Sequence, residues 1–478
     1  MKSRKSSPFP VTLRSGVAFQ PVILFDRSLK KMSRIGNAED GMRHTIWFAY
    51  MLLGKLGAWP NRATSSTSFS RTRNCILIFM CYSVQLIILI PGLLHFFLKE
   101  KDSRKKVKIL IPLINGYLQL CRYSLVLRSA NKLCHLLNEM KKDWMNISEE
   151  DRLIFRRKAS IGHRLMSVVA IIMYSAGLGY RTFIPLSKGR ILLPDNTTIR
   201  LLPCPGYYIF FNEQITPNYE IVFTLQVIGG LLSYTIMCGT TSMCAMLCLH
   251  ATSLLRILVK KINELTKQPD INESAVHMKI TDIVRYQTKI KQFLNDVEHI
   301  TTYLFLLEII DETGIGCVIG YCAITEWEDS DATAAIIYLL LEASVFGVTF
   351  TMCYVGQILI DEVYVLCFFL HTFMTSVTRL NFIQGNNVRR MSITIDWYRF
   401  PAKEARNLIL VIIMSSYPVK LTAGKVVDIS LSTYTDVRIE KLDFSIFYIK
   451  LVLLGSNFFI FQIIKATVGY LNMLRKVT

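Results

Sequence analysis

Three carboxylates interrupt otherwise apolar runs: Asp311 and Glu312, side by side, and Glu342. Charge at bilayer depth is costly, so these residues could be functional, and Asp311 and Glu312 could equally lie just below the bilayer. Paired carboxylates do acid–base work only when a substrate and a second group converge on them. The sequence supplies no such group. Its eight histidines are dispersed, and His95, His163 and His250 each stand alone near the end of an apolar run. No His-Glu-x-x-His, Gly-x-Ser-x-Gly or nucleotide-binding glycine loop is present. The twelve cysteines include no CxxC pair at zinc spacing, and Cys75, Cys81, Cys238, Cys244 and Cys248 lie in apolar runs, as small buried residues do. Cys204, in a loop, is the one placed to pair. These residues give no metal centre, no cofactor site and no catalytic constellation, so the chain reads as something other than an enzyme.

The elements that carry these residues are membrane elements. Of 478 residues, 51% are hydrophobic and 19% charged, against about a quarter charged in ordinary soluble domains. The net charge of +20 would suggest nucleic acid in a soluble protein, but here Lys and Arg flank apolar runs, as in loops facing anionic lipid. No nucleic-acid partner is expected. Residues 1–42 read as a polar, basic tail without a signal-peptide core. Residues 43–58 read as an interfacial amphipathic helix. Apolar runs long enough to span then follow at about 75–98, 109–127, 165–186, 221–249, 309–325 and 334–360. Arg122 is expected to snorkel from the second span, Arg181 marks the exit of the third, and Asp311 and Glu312 the inner mouth of the fifth. Residues 252–300 read as a long charged helix outside the bilayer. The basic residues concentrate before the first span and in the second-to-third and fourth-to-fifth loops, which puts the N-terminus in the cytoplasm. The expected fold class is an all-α integral membrane protein of seven transmembrane helices. That topology is the reverse of a G-protein-coupled receptor, whose Asp/Glu-Arg-Tyr and Asn-Pro-x-x-Tyr marks are also missing.

The C-terminal third carries a resemblance. Asp396-Trp-Tyr-Arg-Phe-Pro401, Met414-Ser-Ser-Tyr-Pro-Val-Lys-Leu-Thr-Ala-Gly-Lys425, Leu431-Ser-Thr-Tyr-Thr435 and Gly469-Tyr-Leu-Asn-Met-Leu-Arg475 resemble, in order, the final-helix elements of insect odorant receptors, hymenopteran ones especially. Gly57-Ala-Trp-Pro60, Thr325-Glu-Trp-Glu-Asp329 and Cys353-Tyr-Val-Gly-Gln-Ile-Leu-Ile-Asp-Glu362 are similar to further family elements. The likeness covers residues 42–478. It implies seven helices with an inward N-terminus and a heterotetramer with the co-receptor Orco. It also implies a central cation pore lined by the last helix and a volatile odorant bound in the outer half. The long insert of Orco itself between spans four and five is missing, so the resemblance is to a tuning subunit, sited in olfactory neuron dendrites.

The outer-half pocket that the resemblance implies would draw on Met173, Tyr174, Tyr180, Tyr219, Phe223, Thr224, Gln226 and Tyr338. A volatile ligand takes its affinity from buried apolar area and its orientation from a few polar groups, which suits this set. In the final helix, Tyr470, Met473, Leu474 and Lys476 fall at pore positions, with Met473 as a hydrophobic gate. Lys476 departs from the uncharged polar residue expected there.

Two apolar segments break the family pattern. Val363–Gln384 parts Glu362 from the lead-in to Asp396, and Val437–Gln462 splits the final helix into 407–436 and 463–476. Both begin with Val and end with Gln, whose codons can carry the GT and AG of splice sites, so both read as translated introns. The rival readings are a gustatory-type receptor of the same superfamily and a membrane transporter. Gly469-Tyr-Leu-Asn-Met473 does not match the gustatory final-helix signature, and no inverted repeat supports a transporter.

Overall fold

The computed structural model describes residues 38–60, 68–192, 198–266, 273–378 and 421–435. Its helices are α1 (Ala38–Lys55), α2 (Ser68–Leu94), α3 (Ser103–Arg128), α4 (Ala130–Asn146), α5 (Glu149–Leu178), the single turn α6 (Ile184–Lys188), α7 (Asn218–Thr266), α8 (Glu273–Glu328) and α9 (Ala332–Thr378). π-Helical turns follow α2 at His95–Lys99 and α5 at Gly179–Phe183. Among the described residues, strands are confined to two small antiparallel pairs, β1 (Arg190–Leu192) with β2 (Thr198–Arg200), and β3 (Thr422–Ala423) with β4 (Val427–Asp428).

Local chemistry fixes the helix starts. Asp102 accepts the Arg104 N–H at 3.0 Å and Ser148 accepts the Asp151 N–H at 3.3 Å, each satisfying a donor that the first turn leaves unpaired. Glu149, Glu150 and Asp151 then oppose the positive end of the α5 dipole. Asp331 caps α9 through the Ala334 N–H at 3.0 Å. That bond, ahead of the Lys188 ammonium, holds its carboxyl below the usual range.

Five of the described helical stretches are long and apolar enough to cross a bilayer: Arg71–Lys99, Ser103–Arg128, Glu149–Lys188, Asn218–Leu265 and Ala332–Leu366. The expected span 309–325 lies inside α8. That helix is less apolar along its length because it brings Glu308, Asp311 and Glu312 into the bundle, where all three are buried.

Their partner overturns one expectation. Arg122 does not snorkel: it is 1% exposed, 2.9 Å from Glu308 and 2.8 Å from Asp311. Its six-residue setback from the end of α3 places it about 9 Å inside the helix, and a carboxylate pair on α8 is nearer than water. Thr349 of α9 donates to Glu312 at 3.0 Å, so three helices share the network. Asp311 and Glu312 are therefore interior residues, not the lip of a mouth.

The 43–58 segment is amphipathic, but protein covers its apolar face. Ala49, Leu53 and Leu56 are buried, with Leu53 seated on Gly239 of α7 and the Leu56 carbonyl accepting from the Tyr123 hydroxyl at 2.6 Å. Trp47 and Tyr50 stay on the exposed side. The described parts of the charged stretch, 252–266 and 273–300, form the ends of α7 and α8. With α4 they bury a core that includes Leu133, Met140, Trp144, Leu254 and Val297. At its edge Asp143 accepts from His250 at 3.2 Å and pairs with Lys289. Burial would raise this carboxyl, but the hydrogen bonds from His250 and Lys289 outweigh it and hold the group below its ordinary range.

At the same end, the β3–β4 turn uses Gly424 and Lys425 in the left-handed region (φ 61° and 60°). The Gly424 N–H bonds the Thr302 carbonyl at 3.0 Å, and Thr422 donates to Glu298 at 3.0 Å. Leu431–Thr435, where the final helix is expected to begin, forms a helical turn whose Leu431 N–H is accepted by Gln357 of α9 at 3.2 Å. Gly356 makes this docking possible, since a Cβ there would lie 2.5 Å from the Ile429 carbonyl oxygen, a backbone atom that cannot swing away. Gly356→Ala is expected to push the hairpin off α9, at a cost of about 1–3 kcal/mol. The amount of protein at the cell surface should fall several-fold by biotinylation, and an unchanged surface level would show that the hairpin does not need this contact.

Candidate ligand-binding site

The end of the bundle away from the hairpin is where α5 and α8 finish and α7 and α9 begin. The sequence places aromatic and polar residues there, and the fold sorts them into separate groups. Tyr180 and Tyr338 meet edge to face, with ring centroids 5.7 Å apart, between α5 and α9. Ala176, Ile337 and Leu341 pack around them. Met173 and Tyr174 lie one to two turns away on α5, against α7. The Tyr174 hydroxyl is 2.7 Å from Thr235, and Met173 is buried beside Cys238.

Arg181 joins these groups. It leaves the π turn inward, donates through Nε to the Tyr234 hydroxyl and through Nη1 to the Gln226 carbonyl, both at 3.2 Å. Tyr234 donates in turn to the Gly177 carbonyl at 3.3 Å, in a seat that only glycine leaves open, because a Cβ at 177 would overlap the ring. Position 181 was visible as a charge at the edge of an apolar run, but its inward aim was not. Tyr234 carried no signal beyond aromaticity.

Gln226 does different work. Its side-chain amide is 1% exposed and closes a two-bond clamp on Cys204, accepting that residue's N–H at 2.9 Å and donating to its carbonyl at 2.7 Å. It holds the 201–208 loop onto α7. Cys204 is buried without a disulfide, so the expectation of a pairing cysteine is wrong; burial pushes its thiol up to about 11. Tyr219 and Phe223 stack, with centroids 5.9 Å apart, in a satellite cluster with Leu202 and Val222. Thr224 is exposed and bonds back to the Glu220 carbonyl at 2.8 Å. Tyr219, Phe223 and Thr224 thus stand apart from the Tyr180–Tyr338 group. Between α2 and α7, beneath Tyr208 and Phe211, a groove of about 570 Å³ is lined by residues including Ile87, Pro91, Val222 and Gln226. Gln85 pins the two helices deeper down, donating to the Gly229 carbonyl at 3.0 Å and to Ser233 at 2.9 Å.

The pore candidates Tyr470, Met473, Leu474 and Lys476, the Asp396–Pro401 element and the 437–462 segment lie outside the described residues. Of 363–384, residues 363–378 continue α9. Among the described residues no group of three or more His, Cys, Asp or Glu gathers as a metal site would.

A family model described as 7tm Odorant receptor matches residues 104–370, more than half of the chain. Odorant receptor 30a of Drosophila melanogaster is 24% identical over 171 residues, which are 35% of this chain and 44% of that receptor's length. The solved structure of the insect olfactory receptor OR5 from Machilis hrabei superposes with a TM-score of 0.69 at 13% identity, covering 86% of this chain and 98% of that one. The same receptor in complex with eugenol superposes equally well, at 12% identity and over all of its length. At such identity the structures speak for the fold, which is that of the insect olfactory receptors. Together with the membrane-length helices they make this a multi-pass membrane protein, and the family is one of receptors, not enzymes. The chain belongs to the 7tm odorant receptor family.

Proposed function

We propose that this chain is the ligand-binding subunit of an odorant-gated cation channel, acting with the co-receptor Orco in the perception of smell. The observation that carries this reading is the aromatic and polar group around Tyr180, Tyr338, Arg181 and Tyr234, set at one end of three membrane helices in a member of the odorant receptor family. Apolar walls with a few fixed polar groups are what a small volatile needs. In this reading Met173, Tyr174, Tyr180 and Tyr338 face or flank the odorant. Tyr219, Phe223, Thr224 and Gln226 belong to its approach, and Tyr470, Met473, Leu474 and Lys476 line the pore. The basic loops put the N-terminus in the cytoplasm and the ligand end outside. The expected setting is the dendritic membrane of olfactory neurons.

The test is heterologous expression with a panel of volatiles, read as cation current. The chain is expected to give no odour-evoked current alone and to give one with Orco. A robust ligand-evoked current from the chain without a co-receptor would overturn the assignment as a tuning subunit. An epitope near residue 20 that is accessible on intact cells would overturn the orientation.

A further inference from the structure

We propose that the ligand of this receptor is a carboxylic acid, bound as its anion by the guanidinium of Arg181. The proposal rests on the reading of the chain as a ligand-binding receptor and names the ligand class for the same site.

Arg181 sits in the π-helical turn Gly179–Phe183. Such turns add a residue to the helical repeat, re-aim side chains, and recur at functional sites. This one brings two successive residues, Tyr180 and Arg181, into the bundle, and both are buried. An arginine so near a span end ordinarily snorkels to the interface. Arg181 is instead 4% exposed. Its stem lies on Gly230 of α7, where a Cβ would overlap the arginine side chain, so the neighbouring helix is cut back to admit it.

Among the described residues, nothing balances the charge. A guanidinium has five N–H donors. Nε and Nη1 use one each, on the Tyr234 hydroxyl and the Gln226 carbonyl, both neutral acceptors. The Tyr234 ring lies under the cation at 5.9 Å. Three N–H groups remain, on the Nη1 and Nη2 edge. Among the described residues no Asp or Glu pairs with Arg181. Arg122, equally buried in the same bundle, has two carboxylates. A buried cation calls for a counter-charge, and Arg122 finds its own internally. The Tyr180 and Tyr338 hydroxyls likewise have no hydrogen-bond partner among the described residues.

The complement of this arrangement is a planar anion with two acceptor oxygens and an apolar tail. A carboxylate accepts two parallel N–H bonds from a guanidinium edge and cancels its charge. An alcohol, ketone or ester can accept a hydrogen bond but leaves the cation uncompensated. An alkyl or aryl tail would lie on the Tyr180–Tyr338 pair and on Ala176, Ile337 and Leu341.

The experiment uses the full chain expressed with Orco. Straight-chain carboxylic acids of four to ten carbons, their methyl esters and the matching primary alcohols are applied at a pH where the acids are ionised. The acids are expected to be at least about tenfold more potent than chain-matched alcohols and esters. Removing one partner of a buried charge pair has large effects, so Arg181→Gln is expected to abolish the acid preference, with about a hundredfold loss in the potency of acids relative to chain-matched alcohols. Arg181→Lys, which keeps charge without the fork, should retain part of it. Tyr338→Phe, which removes one oxygen, should weaken acids more than alcohols. Surface biotinylation is run alongside. If Arg181→Gln fails to reach the surface, the wild-type rank order and Tyr338→Phe decide. Neutral volatiles outranking the acids, or an acid preference surviving in Arg181→Gln, would overturn the proposal and leave the receptor reading standing. Silence to acids and to a broad neutral panel, with the heteromer at the surface, would sink both.

Discussion

Replacing Arg122 by alanine is expected to remove the receptor from the cell surface. Glu308 and Asp311 would be left buried and unpaired on α8, with Glu312 beside them. Breaking a buried ion pair by removing one partner costs about 3–5 kcal/mol, because the surviving charge has no water to turn to. Here two acceptors lose one shared donor. Against a total stability of about 5–15 kcal/mol, that loss is decisive. Arg122→Lys should recover only part, since one ammonium cannot span two carboxylates as a planar fork does. The combined variant Arg122→Met, Glu308→Gln, Asp311→Asn should recover more than Arg122→Ala, because no buried charge is stranded. Surface biotinylation and size-exclusion profiles of fluorescently tagged protein would measure all three. Normal surface expression of Arg122→Ala would show that the network does not hold α3 to α8.

Transcripts lacking 363–384 and 437–462 are expected in antennal RNA, and only that shorter form is expected to conduct with Orco. We propose this from the sequence, since 437–462 lies outside the described residues. The segment carries Arg438, Glu440, Lys441, Asp443 and Lys450 and interrupts a helix that must keep one face on a pore axis. Each charge at the bilayer centre costs about 2.5–3.5 kcal/mol on insertion scales. As helix, the 26 residues from 437 to 462 would displace Met473 by about 39 Å. The expected difference is all or none: no current from the long form, and odour-evoked current from the short one. In-frame retention of both segments in the transcripts, with normal current from the long form, would make them real parts of the receptor.

Legibility differs from element to element, for physical reasons. The spans could be read because apolar length is a one-dimensional property: α3, α7 and α9 contain the runs assigned to them, and the runs 75–98 and 165–186 continue from α2 and α5 through a π turn. Of the carboxylates of α8, Asp311 and Glu312 stood out because they interrupt an apolar run, whereas Glu308 just before that run did not. Their pairing with a cation could not be read. Arg122 lies 186 residues earlier in the chain than Glu308, and no local pattern links the two. The candidate site was named from the sequence as residue types and not as a grouping. Tyr180 and Tyr338 meet, whereas Tyr219 and Phe223 pack with a loop whose attachment depends on one amide, Gln226. Arg181 was hidden by the π turn, because a pattern read at 3.6 residues per turn misplaces the aim of whatever follows the extra residue.

The unbroken length of α9 has a mechanical consequence. Tyr338 at one end and Gly356, where the β3–β4 hairpin docks, sit on the same helix without a proline or a π turn between them. Their separation is about 27 Å at the ordinary helical rise. A rod of that length tilting by about 4° about its ligand end moves its docking end by about 2 Å, on the scale of the helix shifts that switch bistable interfaces. Displacement would then grow with distance from the odorant. If the odorant binds where we propose, a small rearrangement around the Tyr180–Tyr338 rings would arrive enlarged at the hairpin, with α9 as a lever whose long arm lies in the half of the protein remote from the ligand.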